Sequence, residues 1–314
     1  MSRRFPSLSG GVVAYNEAPR IRSSLESLLA QELPSGATWE KIWVVASGCT
    51  DGTAEIARSV DPRIRVVEET ERRGKAAALL EIFARAHGDY LVLLNSDAVA
   101  APAAVRELLA VAAPLSPPFA VMGRPQPPHG PPGFADSVAL LWELHHRFHE
   151  LVLARGEGTH LSDELLLLPT ESLPPLQPGV VNDGAFLGAW LTTLGGRLAY
   201  APRAEATIQV PVRFQDHVAQ RRRIVFGHHQ VGRLTGVAPS TLERFALHHP
   251  QSAARLLFDS LRGRPRALRA LAVLVAAEVA AGVFAEWDRV PPRRDHTRWV
   301  TLPEPPPTPE RTAR

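Results

Sequence analysis

The stretch Gly88-Asp89-Tyr90-Leu91-Val92-Leu93-Leu94-Asn95-Ser96-Asp97-Ala98 decides the fold. A glycine turn leads into an apolar run, which stops at a polar step ending in a carboxylate. An unbroken apolar run suits a strand buried on both faces, as in a parallel sheet covered by helices. Ligands of open α/β sheets bind beyond the carboxyl ends of the strands. Asp97 would then sit where a cation and a phosphorylated ligand can meet. Taken alone, an Asx turn closing a strand accounts for the same residues.

Upstream, Gly10 to Tyr15, Ile42 to Ala46 and Ile64 to Glu68 read as strands. Helices follow with Ile21, Leu25, Leu28 and Leu29 at helical spacing and an end before Leu33-Pro34, from Thr53, at 76–86 and, after the opening stretch, at 102–112. This alternation predicts an α/β fold: a doubly wound, mostly parallel sheet flanked by helices, with right-handed crossovers. Downstream, 114–132 is proline-dense, with Ala120 to Gly123 as its one strand. A helix spans 134–154. A long loop, 156–178, carries the Leu-rich insert Leu165 to Leu168, and long loops of this kind often bind ligands. A helix at 185–194, short strands at 198–202 and 206–210, and a basic helix at 214–234 complete the pattern. These divisions predict a catalytic domain over 1–236, a C-terminal helical extension over 237–290 and a disordered tail over 291–314.

The chain has 314 residues, 45% of them hydrophobic, with 35 basic and 32 acidic side chains. That balance makes no case for nucleic acid, and no basic patch interleaved with aromatics appears. One cysteine, Cys49, excludes an internal disulfide framework and a multi-cysteine metal site. It fits a reducing cytoplasm, and the N-terminus lacks the apolar core of a signal peptide. The 29 prolines against 2 methionines, with abundant Ala and Arg, suit a GC-rich bacterial genome.

Several short segments carry chemistry. Tyr15-Asn16-Glu17 follows the first strand, where a ring can stack on a base or merely cover the sheet end. Ser47 to Gly52 lacks the spacing of a P-loop or a dinucleotide fingerprint, and Asp51 reads as a helix N-cap. Gly74-Lys75 at a helix start combines backbone N–H groups with an ammonium, a ready anion site. Asn182-Asp183 precedes a helix; the pair caps it, or the dipole holds the carboxylate ionised to accept a proton. In Gln220-Arg221-Arg222-Arg223, Gln220 and Arg223 share a helix face, and guanidinium forks suit diphosphate oxygens. His145 and His149 lie one turn apart, but no acidic partner at a diagnostic spacing accompanies them, so they read as helix-surface histidines.

The order of these pieces resembles glycosyltransferase family 2. The resemblance covers roughly residues 9–236. Val13-Ala14-Tyr15-Asn16-Glu17 is similar to its P-x-Y-N-E opening. Val44 to Thr53 resembles V-V-D-D-G-S-T-D-G-T, with Ala46 and Ser47 at the acidic positions. Arg73 to Leu79 resembles R-G-K-x-x-A-L, Asn95-Ser96-Asp97 stands for D-x-D, and Asn182-Asp183 for E-D. Gln220 to Ile224 stands for Q-x-x-R-W. The resemblance implies a GT-A fold, a nucleotide-sugar donor, an unknown hydroxyl acceptor (lipid, glycan or small molecule) and an inverting transfer. It implies a divalent metal, Mg2+ or Mn2+, at Asp97, and Asp183 as general base. Donor contacts would come from Tyr15, Asn16, Glu17, Ser47, Lys75, Asn95, Ser96, Asp97, Gln220 and Arg223.

Three other readings compete: a sugar nucleotidyltransferase, a nucleotide-sugar-binding protein weakened in catalysis by Asn95, Ser47 and Ile224, and a membrane-anchored scaffold whose tail is the functional part. In the C-terminal extension, no uninterrupted span of ~20 apolar residues appears, which argues against a transmembrane helix. A helix presenting Leu268, Leu271, Val275 and Val279 to the catalytic domain or a second subunit is the preferred reading, while the basic stretch 255–269 leaves peripheral contact with an anionic membrane open.

Overall fold

The computed structural model describes residues 6–128, 133–264, 266–289 and 294–298. Its strands are β1 (Ser7–Ala14), β2 (Thr38–Ser47), β3 (Ile64–Glu69), β4 (Tyr90–Leu94), β5 (Val99–Ala100), β6 (Phe119–Gln126), β7 (Leu165–Pro169) and β8 (Arg197–Thr207). They form one sheet in the order β3-β2-β1-β4-β7-β6-β8-β5. The first four pair in parallel. β6 and β8 are also parallel, while β7 runs antiparallel to both β4 and β6. The sheet is therefore mixed, with a parallel half that follows the sequence alternation.

β4 is buried on both faces, as its apolar run requires. Val92 and Leu94 enter one core, and Leu91 and Leu93 the other. The 156–178 segment departs from the expectation of a loop. Its Leu-rich insert is β7, which divides its side chains between the same two cores: Leu165 and Leu167 on one side, Leu166 and Leu168 on the other. Four consecutive leucines carry no period-2 signal because both faces are buried, so the run reads equally well as loop, strand or helix. The two short strands expected at 198–202 and 206–210 are one strand, β8.

Helices α1 (Ile21–Leu29), α2 (Thr53–Val60), α3 (Lys75–Phe83) and α4 (Ala104–Ala112) follow the first strands. α5 (Phe134–Ala154), α6 (Asp183–Thr193) and α7 (Phe214–Thr235) complete the part around the sheet. α8 (Leu242–His248), α9 (Pro250–Leu261) and α10 (Ala267–Arg289) form the C-terminal helices. They share a core with α5 through Leu144, Phe148, Phe245, Leu256 and Leu274.

Two expectations for this end of the chain need correction. On α10 the packed face is Ala267, Ala270, Leu274, Ala277, Ala281 and Ala285, with Leu271 packed beside it as expected, whereas Leu268, Val275 and Val279 point outward. Small side chains let helices approach closely, so the alanines take the contact with α5 and α7 that the larger residues were expected to make. The tail from 291 lies outside the described residues except for 294–298. That segment is packed rather than disordered: His296 is buried, its ring stacks on Phe226 at 4.4 Å, and its Nε2 lies 2.7 Å from Asp288 Oδ2.

Candidate active site

The carboxyl ends of β1 and β4, the amino ends of α3 and α6, and one face of α7 enclose a cleft of about 490 Å³. Glu17, Lys75, Asn95, Ser96, Asp97, Asp183, Gln220 and Arg223 all line it, so eight of the sequence-selected residues converge. Tyr15, Asn16 and Ser47 do not line it. Asn16 adopts a left-handed backbone (φ 52°), which Asn tolerates better than most residues, and its Oδ1 accepts from the Thr50 N–H at 2.9 Å. It ties two loops together. The guanidinium of Arg72 lies 3.6 Å over the Tyr15 ring, so an arginine covers one face of that ring. Ser47 is buried and donates to Glu69 at 2.5 Å.

Asn182 caps α6, accepting from the Ala185 N–H at 2.9 Å. That leaves Asp183 as the first helical residue, facing the cleft at the positive end of the helix dipole. Two glycines allow the close approach that this needs. A Cβ on Gly184 would run into the Leu161 carbonyl, and one on Gly227 would stand 2.7 Å from the Asn182 Cβ. α6 thereby lies against the 161–163 segment, and α7 lies against the cap.

Lys75 pairs with both Asp163 and Asp183, at 3.0 Å from the latter. Its ammonium is thus engaged by two carboxylates inside the cleft rather than standing free for an anion. Burial pushes the Asp183 carboxyl up to about 6; Asp163 adds to the rise, and Lys75 opposes it. Burial would raise Asp163 too, but the attraction of Lys75 overrides it and holds that carboxyl at about 2. Glu164 is lifted to about 7 by burial and the neighbouring Asp163. Burial and the proximity of Asp97 lift Glu17 to about 7, although it pairs with Arg20 at 2.9 Å.

Asp163 and Glu164 were missed in the sequence. The usable signal was Ser162-Asp163-Glu164 directly before an apolar run, the mirror of Asn95-Ser96-Asp97 directly after one. Because β7 is antiparallel to β4, its amino end meets the carboxyl end of β4, and the Asn95 N–H donates to the Glu164 carbonyl at 3.0 Å. Trp142, His145, His160 and His217 wall the cleft as well. His145 is therefore inside the molecule rather than on a helix surface, and burial holds its imidazole at about 3 and that of His160 at about 4.

The donor set at the end of β4 fits a divalent cation. Among the described residues the Asp97 carboxylate and the Asn95 amide make no side-chain hydrogen bond or ion pair, and both face the cleft. Burial raises the Asp97 carboxyl, a cost that a bound cation would remove. No group of three or more His, Cys, Asp or Glu among the described residues could hold an ion unaided. Oxygen donors from a ligand and water would complete its shell, as hard cations accept.

The α7 arginines divide their tasks. Arg221 meets Glu278 at 2.8 Å, and Arg222 meets Asp288 in a two-pronged pair. Arg223, which lines the cleft together with Arg221, is held by the Val181 carbonyl at 2.7 Å and the His296 carbonyl at 3.0 Å.

Residues 9–158 match the family model Glycosyl transferase family 2. The succinoglycan biosynthesis protein ExoO of Rhizobium meliloti is 32% identical over 107 residues, 34% of this chain and 30% of that protein. Glycosyltransferase AglD of Haloferax volcanii is 37% identical over 90 residues, 27% of this chain and 14% of that protein. The chain thus aligns with under a third of either relative's length. Among solved structures, the mannosyltransferase PcManGT from Pyrobaculum calidifontis, in complex with GDP-Man and Mn2+, superposes with a TM-score of 0.64 at 23% identity, over 91% of this chain and 88% of that one. Glucosyl-3-phosphoglycerate synthase from Mycobacterium tuberculosis, in complex with Mn2+, UDP and glucosyl-3-phosphoglycerate, superposes with a TM-score of 0.50 at 20% identity, over 75% and 82% of the two chains. These likenesses concern the fold. The sequence match over residues 9–158, just under half of the chain, makes that part similar to glycosyltransferase family 2, and the fold is a mixed sheet of the GT-A type.

Proposed function

We propose that the protein is an inverting glycosyltransferase that moves a sugar from a nucleoside-diphosphate donor to an acceptor hydroxyl, with Asp183 as general base. The observation that carries this is the Asp183 carboxylate itself. It is buried at a helix amino end, fixed by Lys75 and raised to about 6, so it is ionised at neutral pH yet basic enough to take a proton.

In this reading Asp183 draws the proton from the acceptor hydroxyl, whose oxygen attacks the anomeric carbon from the face opposite the leaving diphosphate. Lys75 acts as a positioning residue, sharing its ammonium between Asp163 and Asp183. Arg223 offers the cleft a guanidinium beside the leaving group. Asp97, with Asn95, would hold Mg2+ or Mn2+, and a bound cation there supplies positive charge to the departing diphosphate. The relatives' cargo supports a nucleotide sugar: GDP-Man in one neighbour and UDP in the other, both with Mn2+.

Asp183→Asn keeps the shape of the site and removes the base. Turnover is expected to fall by ~10²-fold or more, the scale of a lost general base, with donor affinity nearly unchanged in calorimetry. Turnover equal to that of the unaltered protein would refute the assignment. Slow donor hydrolysis by the unaltered protein would separate an enzyme from a pure binder.

A further inference from the structure

α10 has two apolar faces, and among the described residues mainly one is covered. The alanine face packs against α5 and α7, and ion pairs of Glu278 with Arg221 and of Asp288 with Arg222 fix the helix's rotation. The opposite face carries Leu268, Val275, Val279, Val283 and Trp287 at 74%, 51%, 62%, 61% and 61% exposure, with Phe284 beside them at 46%. Between Arg269 and Glu286 the sole charged side chain is Glu278, and it is turned inward to Arg221.

The margin of this stripe is basic. Arg266 and Arg269 stand exposed at its amino end, Arg255 and Phe258 lie exposed on α9, and Arg262 is exposed just past its end. Arg255, Arg262, Arg266 and Arg269 make no ion pair among the described residues. From Arg255 to Arg269 the one acidic residue is Asp259.

We propose that the outer face of α10, with this arginine margin, docks the protein on an anionic lipid surface. The helix would lie in the plane of the headgroups, its valines and Trp287 in the acyl boundary and the arginines on lipid phosphates. Contrary to the expectation from the sequence, α10 is long and apolar enough to span a membrane. It would nevertheless not cross the bilayer, since its inner face is held by α5, α7 and two ion pairs. A second copy of the chain fits the stripe less well. From Leu268 to Trp287 the stripe is about 28 Å long and about 10 Å wide, roughly 280 Å². A stable dimer needs about 800 Å² per partner. Four arginines beside the stripe that make no ion pair among the described residues also match anionic lipid better than their own copies. α7 carries both the arginines that grip α10 and the Gln220 and Arg223 of the cleft, so the docked face is rigidly tied to the site.

The test is co-sedimentation of the full chain with vesicles of phosphatidylcholine, alone or with about 30% phosphatidylglycerol. Three proteins are compared: the unaltered chain, Val279→Glu with Val283→Glu, and Arg262→Glu with Arg266→Glu and Arg269→Glu. All five positions lie on the exposed surface, and circular dichroism confirms folding. The expected result is binding to anionic vesicles that drops about tenfold or more in each variant and weakens as salt rises to about 0.5 M. No binding of the unaltered chain to anionic vesicles overturns the proposal, as does equal binding by both variants. So does a dimer of the unaltered chain that the two-valine variant splits while vesicles stay inert, which would assign the face to a second copy.

Discussion

Two strand ends meet at the centre of the cleft and use their acids differently. At the carboxyl end of β4, Asp97 faces the cleft with no side-chain partner among the described residues. At the amino end of β7, Asp163 is bound to Lys75, and through it to Asp183. One end presents a carboxylate that would meet something that arrives, whereas the other spends its carboxylate on holding Asp183, the proposed base. The electrostatics agree: burial raises Asp97, while Lys75 pulls Asp163 down to about 2. A site of this kind needs both ends, because a free acid recruits and a paired acid orients.

The largest expected effect is on the strand that brings them together. Leu167 of β7 is fully buried and sits opposite Val92 of β4 and Val121 of β6. Leu167→Ala should cost ~2–5 kcal/mol in denaturant unfolding, the range for large-to-small changes in a packed core. Asp97→Ala should leave the same midpoint almost unmoved. A small loss at Leu167 would mean that β7 is not a structural partner of β4 and that the meeting of the two ends is incidental.

The difference between the ends also marks what sequence can convey. Asn95-Ser96-Asp97 was legible because a strand, a helix and another strand precede it in parallel order, and that order fixes which end of β4 faces the site. Asp183 was legible for a similar local reason, its place at the first turn of a helix. Asp163 was not, since its role depends on β7 running antiparallel, and pairing direction is a long-range property that four leucines do not encode. α10 failed for a related reason. Hydropathy ranks Leu and Val above Ala, so it selected the wrong face of a helix whose buried contacts demand close approach.

Asp163→Asn comes next in size. It leaves Lys75 paired to Asp183 alone, so the base keeps its partner and loses its alignment. A drop of roughly tenfold to a hundredfold in kcat is expected, with KM for the donor little changed, as for a group that positions another. A rise in donor KM at constant kcat would instead make Asp163 a binding residue and erase the contrast with Asp97.

Asp97→Ala should act on the other parameter. Calorimetry of nucleoside diphosphate with and without Mn2+ should show a metal-dependent gain in the unaltered protein. The variant should lose about tenfold of that affinity, the scale of one charged contact. Equal affinity in both proteins would remove the recruiting role from the β4 end.

The smallest effect is the most discriminating. As the proposed base, Asp183 would work when ionised, so kcat should rise with pH through about 6, where burial and Asp163 together place it. Asp163 contributes to that rise both by its charge and by its hydrogen bond to Asp183, while Lys75 opposes it. Asp163→Asn removes an upward influence and keeps the downward one, so the rising limb should move to lower pH. Asp97 is not among the main groups that shift Asp183, and Asp97→Ala should leave the limb nearly where it is. A limb that moves equally in both variants would mean that the two strand ends act on the base as one electrostatic cluster, and the division between recruiting and orienting acids would fail.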